Sequence, residues 1–299
     1  MAAASSIKTY DVSTNVRDVT DLIAVVARTE TPFYSGLKKT KAINKIHESQ
    51  QYTLTTGSDN ALVEGANYEL AQRAVPVTNL NWTQIFGKNA KVSKSQMASS
   101  TYGIDDMLAK QVGFAMKEIA TDIEKALLRG TGNSGGSGTA RELKGALAFC
   151  TSNVETGTGT GTGSETLTED MFNDALQHIW DNGGRPDSVY ANSYQKRQIS
   201  AFTASATKNV DASDKRLVSP VNVYESDFGI VEIKLDPYMA TDQVFIAQKD
   251  LWGVAIFRPI IVEDYPSIGS YKAKTIEGEL TLECNNELGS GKITSLSTT

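Results

Sequence analysis

The amino-acid sequence predicts an α+β fold, and three features support this class. A long amphipathic helix is predicted from Ile104 to Arg129, because apolar residues recur there at three- and four-residue intervals. Strands with two-residue alternation are predicted on both sides of this helix, most clearly at 276–284. A helix, a short strand and a second helix follow one another between 168 and 202. We therefore expect sheets that are assembled from distant segments of the chain.

The composition is that of an ordinary soluble globular protein with one or two domains. The 299 residues are 40% hydrophobic and 21% charged, and the formal net charge is −6. An acidic chain has no overall positive charge that would recruit nucleic acid. The basic run Lys38–Lys41 is the best local candidate for such contact, and a solvated loop is the simpler interpretation of it.

Cysteine usage and the absence of targeting signals indicate a protein that is made and used in a cytoplasm. Cys150 and Cys284 lie far apart in the sequence and form no spaced motif, so we expect no disulfide. The first residues lack a basic segment followed by an apolar one, so a signal peptide is not expected. The apolar run at 22–27 is too short to span a membrane, and no membrane partner is expected.

The first ninety-five residues are predicted to form an arm and a flap. The arm, at 1–40, contains one short helix that begins near Asp18 or Thr20 and ends before Pro32. The flap has a strand around Tyr52 and a second extended run at 75–92, joined by a polar loop. Because a two-stranded ribbon is only marginally stable alone in water, we expect the flap to pack on a neighbour.

The long helix is predicted to bury one apolar stripe, with Asp105 and Asp106 in its first turn and Gly130 as its stop. Beyond it we expect a flexible loop at 130–138, a short apolar element at 143–149 and a Thr-Gly linker at 156–163. The stripe consists of Leu108, Val112, Ala115 or Met116, Ile119, Ile123, and Ala126 or Leu127.

The second half of the chain is predicted to add a helix at 168–181, capped by Thr168 and stopped by Gly183-Gly184. Its buried face is expected to include Ile179 and Trp180. A strand at 187–192 and a helix at 193–202 follow, and then the chain is mostly β. The segments 244–247 and 254–257 are predicted to pair with each other.

Two glycine patterns match catalytic motifs but lack their structural context. Gly130, Gly132 and Gly135 match the dinucleotide-binding spacing, yet they follow a helix instead of a strand. Residues 132–136 match G-x-S-x-G around Ser134, again without the strand and helix that this motif requires. His47 and His178 are the chain's histidines, and surface or interface roles explain them better than a role as a base.

Several short stretches, spread over nearly the whole chain, occur in an order and spacing that are rather specific. They are Asp18–Leu22, Thr29–Phe33, Glu64–Ala66, Asn81–Phe86, Lys91–Ser93, Tyr102–Gly103, Ala126–Leu128, Asp181–Asp187, Asn192, Lys196–Ile199, Val223–Gly229 and Glu279–Glu283. Together they resemble the major capsid proteins of tailed phages with the Hong Kong 97 type of fold.

The resemblance implies a Hong Kong 97-like capsid fold in four parts. An N-terminal arm would span 1–42, and an extended E-loop would span 43–95. A peripheral domain would take 96–164 and 251–299, with the helix at 104–129 as its spine. An axial domain at 165–250 would meet its copies at the centre of each capsomer.

The function implied by the resemblance is that of a structural major capsid protein, not an enzyme, with no cofactor and no metal. Many copies, in hexamers and pentamers, would form the icosahedral head around the double-stranded DNA of a tailed bacteriophage. Further partners would be the portal, scaffolding or decoration proteins, and packaged DNA held by weak non-specific contacts. The protein would be assembled in the host cytoplasm and reside in the virion. The residues expected at subunit interfaces are Phe33, Tyr52, Asp59, Asn60, Glu64, Tyr68, Arg73, Arg185 and Lys196.

Two features found in some members of this family are not expected here. No glutamate, lysine and asparagine set can be placed for an isopeptide bond, so a non-crosslinked shell is predicted. Only about forty residues precede the E-loop, so no large fused scaffold domain is expected. An encapsulin-like compartment shell protein, which shares the fold but encloses cargo enzymes, is the alternative function. A serine hydrolase using Ser134 is a remote one.

Overall fold

The computed structural model describes residues 29–52, 57, 59, 61, 63–65, 75–99, 104–157, 165–202, 222–266 and 268–298. The helices are α1 (Pro32–Gly36), α2 (Lys94–Ala98), α3 (Met107–Arg129), α4 (Ala146–Phe149), α5 (Glu169–Asp181) and α6 (Ser193–Ser200). The strands are β1 (Lys38–Lys41), β2 (Ile46–Gln51), β3 (Val77–Trp82), β4 (Gln84–Ser93), β5 (Thr131–Asn133), β6 (Glu142–Lys144), β7 (Val154–Thr156), β8 (Ser188–Ala191), β9 (Val223–Ser226), β10 (Gly229–Leu235), β11 (Val244–Ala247), β12 (Trp252–Tyr265), β13 (Tyr271–Cys284) and β14 (Gly291–Thr294).

A four-stranded sheet supports the long helix α3. Its strand order is β1-β12-β13-β4, with β1 parallel to β12 and the other neighbours antiparallel. The buried side of α3, from Ile119 to Leu127, shares one apolar core with Ile276, Leu280 and Leu282 of β13. The C-terminal part of the predicted helical stripe is therefore covered by the strand with the clearest alternation, whereas Leu108 packs with Ala90 and Val92 of β4.

Three details of α3 differ from the sequence prediction. The helix begins at Met107, because Oδ1 of Asp106 caps it by accepting hydrogen bonds from the N–H groups of Leu108 at 2.8 Å and Ala109 at 3.1 Å. The sequence left open whether Ala115 or Met116, and whether Ala126 or Leu127, belongs to the buried stripe. Ala115 and Leu127 are buried, while Met116 is 49% exposed. Glu124 is also fully buried, which the helical pattern does not reveal.

A six-stranded sheet, in the order β7-β14-β11-β8-β10-β9, is buried on both faces at its centre. Val189 of β8 and Ile246 of β11 join one core, in which they pack with α5. Tyr190 and Phe245, the alternate residues of the same strands, join the core of the four-stranded sheet. Burial on both sides explains why every residue of β8 and β11 is buried.

Several predicted elements are corrected by the structure. The strand at 244–247 pairs with β8 and β14, and not with 254–257, which lies within β12. The segment 130–138 is not a flexible loop throughout, because β5 pairs with β6 in a small hairpin. Pro32 begins α1 as its first residue, the position at which its missing N–H costs nothing. Trp180 is 47% exposed and lies outside the buried face of α5.

Other predictions hold, or fall outside the residues that the structure describes. The Thr168 hydroxyl caps α5 by accepting a hydrogen bond from the N–H of Met171. Both cysteines are free and buried. The short helix predicted within 18–27 and most of the Thr-Gly run lie outside the described residues. Two strands of the six-stranded sheet, β7 and β14, come from outside the segment 165–250.

The end of α3 is the place where a glycine is required by close approach. A Cβ atom built on Gly130 would lie 2.4 Å from the carbonyl oxygen of Leu143 and 2.7 Å from that of Ala126. Gly113, in the exposed middle of the same helix, has no atom within 4 Å of such a Cβ.

These two glycines predict stability changes of opposite sign. Gly130→Ala should lower the free energy of unfolding by roughly 1–3 kcal/mol, because the methyl group collides with the backbone. Gly113→Ala should raise it by about 1 kcal/mol, the difference between the two residues in a helix interior. Urea unfolding measures both variants, and changes of the same sign would contradict the argument.

Candidate functional site

The ribbon formed by β2 and β3 has a polar side towards the protein and a mixed outer side, on which apolar residues are exposed beside polar ones. The two strands are antiparallel, from Ile46 opposite Trp82 to Gln51 opposite Val77. The alternating positions of Ser49 and Asn81 lie against the body, whereas Ile46 and Leu80 are exposed on the other face. This reverses the usual arrangement, in which a sheet covers the core with its apolar face.

Hydrogen bonds of the polar side fix the ribbon to β13 and to the β5–β6 hairpin. The Ser49 hydroxyl donates to the carbonyl oxygen of Cys284 at 2.5 Å. The Asn81 side-chain amide donates to the carbonyl oxygens of Leu282 at 2.8 Å and Lys144 at 2.9 Å. Its oxygen accepts from the N–H of Lys144 at 2.7 Å. Asn81 is thus buried with its hydrogen-bonding groups satisfied.

The root of the ribbon is held by a buried carboxylate. Thr83, the residue between β3 and β4, donates from its hydroxyl to Oε1 of Glu279 at 2.5 Å. Arg141 pairs with the same oxygen, and its Nε donates to the carbonyl oxygen of Thr83 at 2.6 Å. Arg258 Nε donates to the other Glu279 oxygen at 3.2 Å. Two arginines therefore compensate the buried charge and fix where the ribbon leaves the sheet.

Large apolar side chains are exposed in two regions of the surface. One surrounds the ribbon and includes Val77, Leu80 and Ile85. The other is the far half of β12, where every residue from Arg258 to Tyr265 is exposed, including an Ile-Ile-Val run. Exposed apolar residues that are concentrated in this way are typical of surfaces that bind another protein.

The residues predicted at subunit interfaces fall into four groups. Tyr52, Asp59, Glu64 and Arg185 are exposed, and their interface role stays a prediction. Phe33 is instead a core residue, because its ring is fully buried against Tyr190 and Phe245. Asn60, Tyr68 and Arg73 lie outside the described residues.

Lys196, the remaining predicted interface residue, is half-buried on α6. Its Nζ donates to the carbonyl oxygen of Ile233 at 3.2 Å and to the side-chain oxygen of Asn222 at 3.4 Å. Burial lowers the pKa of its ammonium group. These bonds tie α6 to β10 within the subunit.

The motifs that resemble catalytic ones lie in structural contexts that differ from those of enzymes. The Ser134 segment is the turn region of the β5–β6 hairpin, not a turn from a strand into a helix. His47 Nε2 lies 3.4 Å from a carboxylate oxygen of Glu283, and His178 Nδ1 lies 3.6 Å from one of Glu155. Burial raises the pKa of the Cys150 thiol to about 12, which disfavours the reactive thiolate.

The described part of the chain contains neither a metal-binding cluster nor a membrane-spanning helix. No group of three or more His, Cys, Asp or Glu side chains there is arranged to hold a metal ion. No helix there is long and apolar enough to cross a membrane.

The polar contacts at the ribbon root were missed by the sequence interpretation. Asn79, Asn81 and Thr83 alternate with Leu80 and Trp82, a period-two signal that was present in the sequence. The apolar residues of this run predict a strand, but they do not indicate which of its two faces is buried.

Comparisons with known proteins identify similar chains. A family model described as SU10 major capsid protein matches residues 6–297. A curated major capsid protein of Escherichia phage Phieco32 is 24% identical over an alignment of 343 positions, which covers 97% of each chain. Among solved structures, the cyanophage A-1(L) capsid asymmetric unit matches with a TM-score of 0.73 and 13% identity, over 98% of this chain and 99% of that one. A chain of Mycobacterium phage Adephagia matches with a TM-score of 0.68 and 12% identity, over 99% and 100%.

Proposed function

Because the chain belongs to the SU10 major capsid protein family and its function is that of a tailed-phage major capsid protein, we propose that the ribbon is a principal surface through which its copies join. The expected Hong Kong 97-like α+β capsid fold is confirmed by the solved capsid structures. The subunit is a structural protein that assembles with copies of itself into the capsid of a virion.

The observation that carries the proposal is the reversed ribbon. Its polar side is held by hydrogen bonds to β13, and its root by Glu279, so the outer face is presented in a fixed direction. That face exposes Ile46 and Leu80 to water in the isolated subunit. Covering apolar side chains with a neighbouring copy removes them from water, at roughly 25 cal/mol per Å² of apolar area.

Many modest contacts of this kind are sufficient to hold a closed shell together. A standard protein interface buries about 1,600 Å² in total. In a shell each subunit has several neighbours, so the contacts reinforce one another. We propose that hexamers and pentamers form an icosahedral head around double-stranded DNA. The net charge of −6 favours only weak, non-specific contact with that DNA.

The domain assignment is also part of the proposal. The arm would span 1–42, the E-loop 43–95 with the ribbon at its base, and the peripheral domain would be built on α3. The axial domain would be the six-stranded sheet with α5 and α6, to which β7 and β14 contribute from outside 165–250. A portal, and scaffolding or decoration proteins, are proposed as further partners, and the host cytoplasm as the place of assembly. The shell is proposed to lack covalent crosslinks.

The competing functions have less support. An encapsulin-like shell would share the fold, but the family model that matches the chain is that of phage major capsid proteins. A serine hydrolase would need Ser134 in the context of a nucleophile elbow, and Ser134 lies in a hairpin.

Leu80→Lys should leave the subunit folded and prevent normal assembly. Leu80 is 42% exposed on the outer face, and the introduced ammonium group would face Glu48 across the strands, which preserves the ribbon. Burying that charge at a subunit contact would be unfavourable. Sizing chromatography and negative-stain microscopy should show free subunits or small oligomers in place of shells.

The matched control is Thr78→Lys, a polar position on the same outer face opposite Gln50. It adds the same charge but removes no apolar contact, so it should impair assembly less than Leu80→Lys does. If the Leu80 variant forms shells of normal size and yield, the ribbon is not an assembly surface.

A further inference from the structure

Two buried acids connect three separate parts of the subunit. Glu124 lies in the middle of α3, and Asp236 directly follows β10 of the six-stranded sheet. Both side chains are fully buried, and they lie close enough for each to influence the pKa of the other. Burying one carboxylate is unfavourable, and burying two side by side is more so, unless a proton is retained between them.

Glu124 also caps α1, the short helix that follows the N-terminal segment. Its Oε1 accepts a hydrogen bond from the N–H of Phe33 at 2.6 Å, and its Oε2 accepts one from the N–H of Tyr34 at 2.8 Å. Thr31, at the N-cap position, makes no side-chain capping bond. The first turn of α1 is therefore capped from α3.

The ring of Phe33 adds the third connection. Its centroid lies 5.0 Å from that of Tyr190 and 5.8 Å from that of Phe245, both edge to face, on the six-stranded sheet. Thus α1 packs between α3 and this sheet, and the acid pair lies at the same junction. Disturbing the pair would weaken the contacts of α1 with both α3 and the sheet.

The geometry of Asp236 shows where a proton would reside. Its Oδ1 accepts a hydrogen bond from the N–H of Tyr238 at 2.8 Å. Its Oδ2 is buried and receives no N–H or O–H donor from the described residues. A hydrogen bond between two carboxyl groups exists only when one of them is protonated. A proton on Glu124 would supply the donor that Oδ2 lacks.

The electrostatic surroundings favour this proton. Burial, and next the charge of Asp236, raise the pKa of Glu124 to about 8, and burial raises the pKa of Asp236. Neither shift has a basic side chain among its causes. The other titratable group facing the pair is the Tyr190 phenol of β8, whose pKa is raised by burial as well. The segment Pro32–Gly36 contributes backbone amides and no acidic or basic side chain.

We propose that one proton shared by Glu124 and Asp236 locks α1 into the subunit, and that losing this proton in mildly alkaline solution releases α1. Without the proton, two negative charges face each other in a buried space. Moving α1 away lets water reach Glu124. The pair therefore controls how firmly α1 is held in the subunit. The inference concerns the subunit alone and does not depend on the proposed assembly surface.

The direction of the pH effect follows from proton binding. In the locked state the raised pKa of Glu124 keeps the proton bound at neutral pH. In the opened state Glu124 has the ordinary pKa of a glutamate, so the proton has already been released at that pH. Locking is therefore complete at acidic pH and weakens as pH rises towards the raised pKa. For one proton, the opening equilibrium increases by up to about tenfold per pH unit in this window.

Hydrogen–deuterium exchange of the full-length protein tests the lock at the Phe33 and Tyr34 amides. Between about pH 6 and about pH 9, after correction for intrinsic exchange, their protection in the wild type should fall by about tenfold or more. In Glu124→Gln the fall should be much smaller, because the amide has no proton to lose between these pH values. Its nitrogen donates to Asp236 and cannot accept from an N–H group, so protection of one of the two amides should be lower at every pH. Glu118→Gln, at an exposed position of the same helix, is the control and should behave as the wild type.

A second measurement does not depend on whether the variants fold. The infrared band of a protonated carboxyl group should be present in the wild type near pH 6 and disappear by about pH 9.

Asp236→Asn should remove the pH dependence of α1 protection in the same way as Glu124→Gln. The proposal is overturned if the wild type lacks that band near pH 6, or if a folded Glu124→Gln loses protection as much as the wild type.

Discussion

Ile123→Asp should prevent the subunit from folding. The Ile123 side chain is 1% exposed and packs in the core between α3 and the four-stranded sheet. An aspartate there would bury a charge without a partner, which costs at least roughly 3 kcal/mol in addition to the lost apolar packing. Domains of this kind are stable by only about 5–15 kcal/mol. Soluble yield, circular dichroism and urea unfolding provide the measurement.

Met116→Asp is the matched control, since it introduces the same charge into the same helix. Met116 is exposed to solvent, so its variant should fold with a stability close to that of the wild type. A folded Ile123→Asp subunit of normal stability would show that α3 does not bury the face assigned to it.

Glu279→Ala should produce the second-largest effect, a loss of about 3 kcal/mol in the free energy of unfolding. The substitution leaves Arg141 and the Thr83 hydroxyl without their shared partner. The loss in the free energy of unfolding should lie at the lower end of the range measured when a buried ion pair is broken. The reason is that Arg141 and Arg258 both keep contact with water. Urea unfolding gives the magnitude, and hydrogen exchange of β2 and β3 should show a looser ribbon.

Glu277→Ala provides the comparison within the same strand. Glu277 also pairs with Arg258, but both side chains of that pair are 48% exposed. Exposed ion pairs contribute about 0–1 kcal/mol, so this variant should be nearly neutral. Equal losses from the two substitutions would mean that the burial of Glu279 has no special role at the ribbon root.

The sequence was a reliable guide where hydrophobic periodicity alone determines an element. The helix α5 begins after its predicted cap, Thr168, and α3 buries the predicted stripe against β13 and β4. Periodicity carries no information about which strands become neighbours. For this reason the predicted pairing of 244–247 with 254–257 is wrong, since the two segments belong to different sheets.

Buried polar groups were the other limit of the sequence interpretation. Glu124 and Glu279 occupy positions that a helical or alternating pattern assigns to solvent. Their burial depends on partners that are distant in sequence, such as Asp236 and Arg141. The reversed ribbon has the same origin, because two-residue alternation shows that a strand has two different faces but not which of them is buried.

The path of the chain through the six-stranded sheet has a mechanical consequence. Strands β7 and β14 are parallel neighbours in this sheet, yet about 135 residues separate them in the sequence, from Thr156 to Gly291. Between them the chain leaves the sheet to build β12 and β13 and then returns. The backbone therefore passes between the two sheets several times, so neither sheet is built from one continuous stretch of the chain. A pulling or bending force on one sheet is transmitted to the other, so the wall of a shell made from such subunits can deform without separating the layers of any one of them.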